Sequence, residues 1–157
     1  MEFVKLQKVG FIGLGNVGGK LAGSLIRNGC DVVLRDLNRD AAVSFLDAGA
    51  KWADSPKEMA QACDIIITCL PSPSVRAAVM DAEDGILAGL TKGKIWVEMS
   101  TTDEAEVTRI GSLVEAKGAS PADCPVSRGF HRAAKGNIAI LAGCDRLVFD
   151  RLLPTLN

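Results

Sequence analysis

Short apolar runs rich in β-branched residues alternate along the chain with longer segments of helical period. This alternation is typical of repeated strand–helix–strand units with parallel strands. Because the runs are almost continuously hydrophobic, we expect helices to cover both faces of the sheet. The predicted strands cover residues 9–12, 31–35, 64–70, 95–99, 119–124 and 138–141, with a weaker strand at 51–52.

Polar residues and glycines predict where several helices begin and end. The segment Ser55-Pro56-Lys57-Glu58 has the pattern of a capping box with proline in the first turn. Thr101-Thr102-Asp103-Glu104 offers a second capping box. Left-handed residues that end helices are predicted at Gly29, Gly49 and Gly118.

A length of 157 residues fits one domain, which we expect to span residues 1–157 without a complete second domain. The net charge of -1 provides no basic surface for nucleic acid. No apolar run approaches the roughly 20 residues of a membrane span, and the first residues do not resemble a signal peptide, so a cytoplasmic protein is expected. The five cysteines form no Cys-x-x-Cys pair and are expected to be buried, reduced thiols.

A glycine-rich turn, Gly13-Leu14-Gly15-Asn16-Val17-Gly18, directly follows the first predicted strand and opens a helix. In a dinucleotide-binding turn the first glycine makes the tight bend and the second lets the backbone approach a pyrophosphate. The third glycine lets the helix pack closely against the strand. The motif in this context predicts a doubly wound, three-layer α/β fold of the Rossmann type, although a plain tight turn is the alternative.

Asp36 directly follows the second predicted strand, 23 residues after Gly13. An acid at about this spacing binds the ribose hydroxyls of NAD and repels the 2′-phosphate of NADP, so NAD is the expected cofactor and NADP the less favoured one. Arg35 and Arg39 flank Asp36, and an arginine there can accommodate that phosphate. The alternative for Asp36 is a solvated strand end.

Five segments of the chain match a known family: residues 11–18, Asp36, Cys69-Leu70-Pro71, Ser100-Thr101 and residues 123–127. In these segments the chain resembles the β-hydroxyacid dehydrogenases, the group of 3-hydroxyisobutyrate dehydrogenase and 6-phosphogluconate dehydrogenase. The resemblance implies an N-terminal Rossmann domain followed by an all-helical domain that carries dimer contacts. The cofactor-binding residues expected from the motif and the resemblance are Gly13, Leu14, Gly15, Asn16, Val17, Gly18, Asp36, Leu70, Pro71 and Thr101.

The resemblance also implies a substrate-binding loop at Ser127, Arg128 and Gly129, which matches a D-x-P-V-S-G-G motif except that Arg128 replaces its first glycine. Arg128 could clamp a carboxylate, block the pocket or point to solvent. His131 has no role in the family pattern. We expect Trp52 and Trp96 to lie in the core, and no cluster has the spacing of a metal site.

Catalysis in the family uses a lysine within a G-x-G-x-x-x-K-x-x-x-N segment, which this sequence does not contain. The sequence therefore predicts the NAD-binding domain of an oxidoreductase that acts on a small hydroxy acid or aldehyde acid, with no catalytic residue of its own and little activity alone. One alternative is a non-catalytic cofactor-binding or self-associating module that forms homo-oligomers. A weaker alternative is a reductase similar to the imine reductases.

Overall fold

The computed structural model describes residues 7–127 and 130–157 and contains a parallel sheet. Its strands are β1 (Val9–Ile12), β2 (Val32–Arg35), β3 (Lys51–Trp52), β4 (Ile65–Thr68), β5 (Ile95–Glu98) and β6 (Ser120–Asp123). The spatial order of the six strands is β3-β2-β1-β4-β5-β6. Each agrees with a predicted strand to within two residues at either end.

Helices cover both faces of this sheet. They are α1 (Gly18–Arg27), α2 (Val43–Asp47), α3 (Pro56–Ala62), α4 (Pro73–Asp81), α5 (Ile86–Gly89), α6 (Glu104–Ala116), α7 (Phe130–Ala134) and α8 (Arg146–Leu156), with a short 3₁₀ helix at Arg39–Ala42. Buried residues of α1, α7 and α8 pack on one face, and those of α3 to α6 pack on the other. The predicted three-layer Rossmann-type α/β fold is confirmed.

Alternate residues of each strand enter two separate cores. Phe11 and Ile67 belong to the core beneath α1, whereas Ile66 and Trp96 belong to the core beneath α3. Trp96 has no exposed surface, as predicted. Because both faces are buried, the sequence of β4 is uniformly apolar up to Thr68, whose hydroxyl accepts a hydrogen bond from Trp96 Nε1 at 3.0 Å.

The predicted helix ends are confirmed in part. Ser55 Oγ accepts the N–H of Glu58 at 3.0 Å, and the Glu58 carboxylate accepts the N–H of Asp54 at 3.0 Å. The capping box at Thr101 is wrong, because α6 begins at Glu104 and Asp103 accepts the N–H of Ala105 at 3.0 Å. A carboxylate immediately before the helix is also favoured by the helix dipole. The three predicted C-terminal glycines, Gly29, Gly49 and Gly118, all have positive φ.

The last predicted strand, residues 138–141, does not join the main sheet. Instead β7 (Val126–Ser127) and β8 (Ala139–Ile140) form a separate antiparallel pair. Gly143 lies antiparallel to Asp123 and takes the position beside β6 that another strand would need. A local antiparallel return also avoids the long crossover that a parallel strand requires. Within the described residues no helix has the length and apolar character to cross a membrane.

Candidate functional site

The sheet reverses its strand order at β1, where β2 and β4 lie on opposite sides. In open α/β sheets the carboxyl ends of strands at such a point form a ligand crevice. A cleft of about 690 Å³ lies there. Its walls come from the glycine-rich turn, the end of β2, the turn after β4 and helix α4; the lining residues include Gly13, Gly15, Asn16, Val17, Gly18, Asp36, Leu37, Leu70, Pro71, Val75 and Val79.

The three glycines of the turn differ in their surroundings. Gly13 has a φ of +101°, and a Cβ added to it would collide with the carbonyl oxygen of Cys69. A Cβ on Gly18 would collide with the carbonyl oxygen of Gly13. A Cβ on Gly15 would meet no atom within 4 Å. Gly13 and Gly18 are therefore required by the packing of the turn, whereas Gly15 leaves space at the mouth of the cleft.

Helix α1 begins at this turn with its first amides unpaired. Val17, the residue immediately before the helix, makes no side-chain cap, and the first turn contains no acidic residue. The N–H groups of residues 15–18 donate to no acceptor in the part of the chain that the structure describes. Free amides at the positive end of a helix dipole are a suitable site for an anion.

Asp36 links the end of β2 to the glycine-rich turn. Its Oδ2 accepts the N–H of Leu14 at 2.7 Å, and its Oδ1 accepts the N–H of Asn38 at 2.8 Å. An ionised carboxylate has about four lone-pair positions, so each oxygen can accept a second hydrogen bond. The carboxylate also lines the cleft. It can therefore accept hydrogen bonds from ligand hydroxyls without leaving its backbone partners.

Two arginines contact Trp52: Arg35 at the end of β2 and Arg39 at the start of the following 3₁₀ helix. Arg39 Cζ lies 5.2 Å and Arg35 Cζ lies 5.7 Å from the centroid of the Trp52 ring. Arg35 Nη1 also donates to the carbonyl oxygen of Ala53 at 3.2 Å. The prediction that Trp52 is a core residue holds only in part, since it is half-buried and carries these cations. Its strand, β3, is the short edge of the sheet, so no further strand covers its outer side.

A buried polar chain supports the turn after β4. The N–H of Leu70 donates to Ser100 Oγ at 2.7 Å, and the N–H of Ser100 donates to Glu98 Oε1 at 2.8 Å. Arg76 Nε donates to Glu98 Oε2 at 2.6 Å, and the two side chains are only 1% and 0% exposed. Because Arg76 belongs to α4, these contacts close a ring that includes the chain from Leu70 to Arg76. We call this ring the Glu98 clamp.

Several predicted residues lie outside the cleft. The side chain of Leu14 is buried in the core, although its N–H binds Asp36. Thr101 is exposed and follows Ser100, but it does not line the cleft. Ser127 is exposed on β7, also away from the cleft lining. Arg128 and Gly129 fall outside the described residues, so the substrate-binding prediction at these two positions has no structural counterpart.

Sequence reasoning missed the apolar wall of the cleft. Val75 and Val79 of α4 lie four residues apart, as do Ala78 and Ala82, and all four line it. This spacing marks one face of a helix, but it does not distinguish a face packed on the core from one that borders a cleft. Leu37 lines the opposite side and is 90% exposed. The cleft therefore has apolar side chains at its mouth as well as along its wall.

The chemistry of the cleft is that of a binding site. Burial raises the pKa of the Cys69 thiol to about 11, so this lining residue is a neutral thiol at physiological pH. Among the residues that the structure describes, no group of three His, Cys, Asp or Glu side chains could hold a metal ion. The other polar groups at the cleft are the turn amides and the residues Asn16, Arg35, Asp36 and Asp84.

A comparison with protein families identifies this arrangement. Residues 8–157 match the model of the NAD-binding domain of 6-phosphogluconate dehydrogenase. The chain belongs to this family. This chain is therefore an NAD-binding Rossmann domain of the hydroxyacid dehydrogenase type, as the glycine-rich turn and the resemblance predicted.

Individual relatives agree with the family. Mouse mitochondrial 3-hydroxyisobutyrate dehydrogenase is 38% identical over 135 residues, which are 86% of this chain and 40% of the mouse protein. The structure of Mycobacterium tuberculosis 3-hydroxyisobutyrate dehydrogenase with L-serine superposes with a TM-score of 0.87 at 28% identity, covering 96% of this chain and 51% of that one. A structure of Psf3 with NADP⁺ and 2-OPP gives a TM-score of 0.91 at 26% identity, covering 94% and 52%. This chain thus spans about half the length of these relatives or less.

Proposed function

We propose that the cleft binds NAD(H), and that residues 1–157 form the dinucleotide-binding domain of an enzyme that transfers hydride between the nicotinamide and a small β-hydroxy acid similar to 3-hydroxyisobutyrate. The observation that carries the proposal is the set of unpaired N–H groups of residues 15–18, which share one cleft with the carboxylate of Asp36. The amides would bind the pyrophosphate, and the carboxylate would bind the adenosine ribose.

The space around these groups supports the same assignment. Gly15 leaves room for the pyrophosphate to reach the backbone, because no atom lies within 4 Å of the place where its Cβ would be. The apolar side chains of Leu37, Val75 and Val79 offer surface for a base. When bound, the nicotinamide would supply the hydride chemistry. The contribution of this chain is to bind and orient it.

NAD is the proposed cofactor rather than NADP. The Asp36 carboxylate would repel a 2′-phosphate on the ribose that it binds. No ion pair joins Asp36 to Arg35 or Arg39 within the described ranges, and its two oxygens accept backbone N–H groups instead. The Psf3 structure contains NADP⁺, but Psf3 is only 26% identical to this chain, so its cofactor does not decide that of this chain.

The substrate half of the proposal rests on the resemblance. The hydroxyl of Ser127 and the neighbouring groups at Arg128 and Gly129 would hold the carboxylate of a hydroxy acid or aldehyde acid. No lysine of this sequence lies in the pattern that supplies the proton donor in the family. The 157-residue chain should therefore bind the cofactor but oxidise NADH slowly with small aldehyde acids.

Gly15→Ala tests the proposed cleft directly. We expect this variant to bind NADH about tenfold or more weakly, since the added methyl group occupies the space of the pyrophosphate. Gly111→Ala is the matched control, because its Cβ would make only ordinary contact with Pro121 at 3.6 Å, far from the turn. Calorimetric titration of both variants and the wild type measures the affinities. Equal NADH affinity for all three proteins would refute the assignment of the cleft.

A further inference from the structure

Trp52 holds two guanidinium groups at the end of the sheet where the adenosine ribose would lie. It pairs with Leu34 across β2 and β3, and Asp36 follows two residues after Leu34. The guanidinium carbons of Arg39 and Arg35 lie 5.2 Å and 5.7 Å from its ring centroid, within the distance of a cation–π contact. Arg35 also lines the cleft, whereas Arg39 does not, so Arg39 is the cation that lies beside the proposed ribose site but outside it.

An arginine beside an aspartate commonly forms an ion pair with it, but neither Arg35 nor Arg39 does so here among the described side chains. Arg35 instead donates to the carbonyl oxygen of Ala53 at 3.2 Å, and Arg39 lies over the indole ring. The two oxygens of Asp36 accept backbone N–H groups. The guanidinium group of Arg39 is thus directed to Trp52 on β3, and the Asp36 carboxylate is directed to the glycine-rich turn.

This separation bears on which nucleotide the ribose site accepts. A 2′-phosphate is a dianion that an adjacent arginine can bind, and Arg35 and Arg39 are the cations that flank the acid at this position. While Arg39 lies over Trp52, a 2′-phosphate could reach its guanidinium group only by displacing it from the ring. The phosphate would also be repelled by the charge of Asp36.

We propose that Trp52 is a specificity-determining residue that favours NAD over NADP by holding the guanidinium group of Arg39 away from the ribose 2′ position. This inference rests on the proposed function of the cleft. Trp52 is not itself in the cleft lining, so it would act through Arg39 rather than by touching the cofactor. Loss of the Trp52 ring should raise the affinity for NADPH and leave the affinity for NADH almost unchanged.

The decisive variant is Trp52→Leu, which removes the ring and keeps an apolar side chain on β3. We expect its dissociation constant for NADPH to fall about two- to fivefold, the equivalent of one exposed cation–π contact, with NADH affinity unchanged. Adding Arg39→Gln to this variant should abolish the gain in NADPH affinity, because Arg39 is the more exposed of the two cations. Calorimetry with NADH and NADPH gives both constants without relying on tryptophan fluorescence.

Phe149→Leu provides the matched control, because Phe149 carries Arg146 at 6.0 Å in a cation–π contact on α8 and lies outside the cleft lining. It should leave the ratio of NADPH to NADH affinity unchanged. An unaltered ratio in Trp52→Leu, or weaker NADPH binding, would overturn this inference while NADH binding still upheld the proposed function. If the wild-type chain bound neither nucleotide, both proposals would fail.

Discussion

Cys63 and Cys124 have no exposed surface, and burial changes their chemistry. It raises the pKa of Cys63 to about 11 and that of Cys124 to about 12, from an ordinary value of 9.0. A thiolate at either position would be poorly solvated, so both groups remain protonated in the folded protein at neutral pH. The prediction of buried, reduced thiols holds for these two, whereas Cys30, Cys69 and Cys144 are half-buried.

These pKa shifts predict a loss of stability in alkali. In the unfolded chain a thiol releases its proton near pH 9.0, whereas folded Cys63 keeps its proton until about pH 11. The folded state therefore binds more protons between these values, and the free energy of unfolding falls as the pH rises through them. Urea unfolding of the wild type and of Cys63→Ala at several pH values measures the effect.

We expect the free energy of unfolding of Cys63→Ala to fall less steeply above pH 9.0 than that of the wild type. Cys30→Ala is the control, since Cys30 is half-buried and its pKa is raised less clearly by burial. Parallel curves for Cys63→Ala and the wild type would show that this thiol does not contribute to the alkaline loss.

At the residue scale, the glycine-rich turn and Asp36 were predictable because their roles depend on short spacings within the sequence. The chemistry of a tight turn followed by a helix restricts which residues can occupy Gly13 and Gly18. The pairing of Trp52 with two arginines was not predictable. It depends on the register of β3 against β2 and on β3 being at the edge of the sheet, which are properties of the tertiary fold.

Among the secondary-structure elements, the Glu98 clamp joins the turn after β4 and helix α4 to the end of β5, near the cleft. Ser100→Ala would remove the acceptor of the Leu70 N–H, which is a buried donor. We expect the free energy of unfolding to fall by about 1–3 kcal/mol, the cost of leaving a buried donor unpaired. NADH affinity should also fall, because Leu70 and Pro71 form part of the cleft wall. Urea unfolding and calorimetric titration measure these two effects.

Ser112→Ala is the control for this prediction. The Ser112 hydroxyl donates to the Thr108 carbonyl oxygen at 3.0 Å on the exposed side of α6, so its removal leaves no buried group unpaired. If Ser100→Ala matched Ser112→Ala in both stability and NADH affinity, the clamp would have no part in supporting the cleft.

The element boundaries show which parts of the fold were predictable. The cap of α3 is a local signal, and α4 begins in the same way, with Ser72 Oγ accepting the N–H of Val75 at 3.3 Å ahead of Pro73. The pairing of β8 depends instead on β7, with Val126 opposite Ile140, and these residues are not neighbours in the sequence. A short apolar run predicts a strand, but it does not show which sheet the strand will join.

At the scale of the whole molecule, cofactor binding should stabilise the fold by mass action. At an NADH concentration of about 100 times Kd, the stabilisation is about 2.7 kcal/mol. For a domain of this size we expect a rise in Tm of roughly 5–10 °C. Differential scanning calorimetry with and without NADH measures the shift.

Gly15→Ala should have the Tm of the wild type without ligand and a much smaller shift at the same NADH concentration, since its Cβ meets no atom in the fold. An undiminished Tm shift in this variant would mean that NADH stabilises the protein by binding at another site.

The doubly wound parallel sheet was predictable at this scale because alternating strands and helices permit few arrangements and right-handed crossovers restrict them further. The cleft volume and its apolar wall were not, since they depend on how α4 lies against the turn after β4. Motifs thus predicted the position of the site, whereas the packing of helices determined its shape.

The two edge strands of the sheet, β3 and β6, have few free backbone groups with which another chain could form hydrogen bonds. β3 is only two residues long. At β6, the N–H of Ser120 donates to the carbonyl oxygen of Lys94, just before β5, and the N–H of Cys124, just after β6, donates to that of Glu98. Pro121 has no N–H, and Asp123 donates to the Gly143 carbonyl oxygen at 2.9 Å. An unpaired edge strand can template edge-to-edge aggregation, and short strands and prolines oppose it. Both edges of the described six-stranded sheet are thus poor templates for a further strand from another chain.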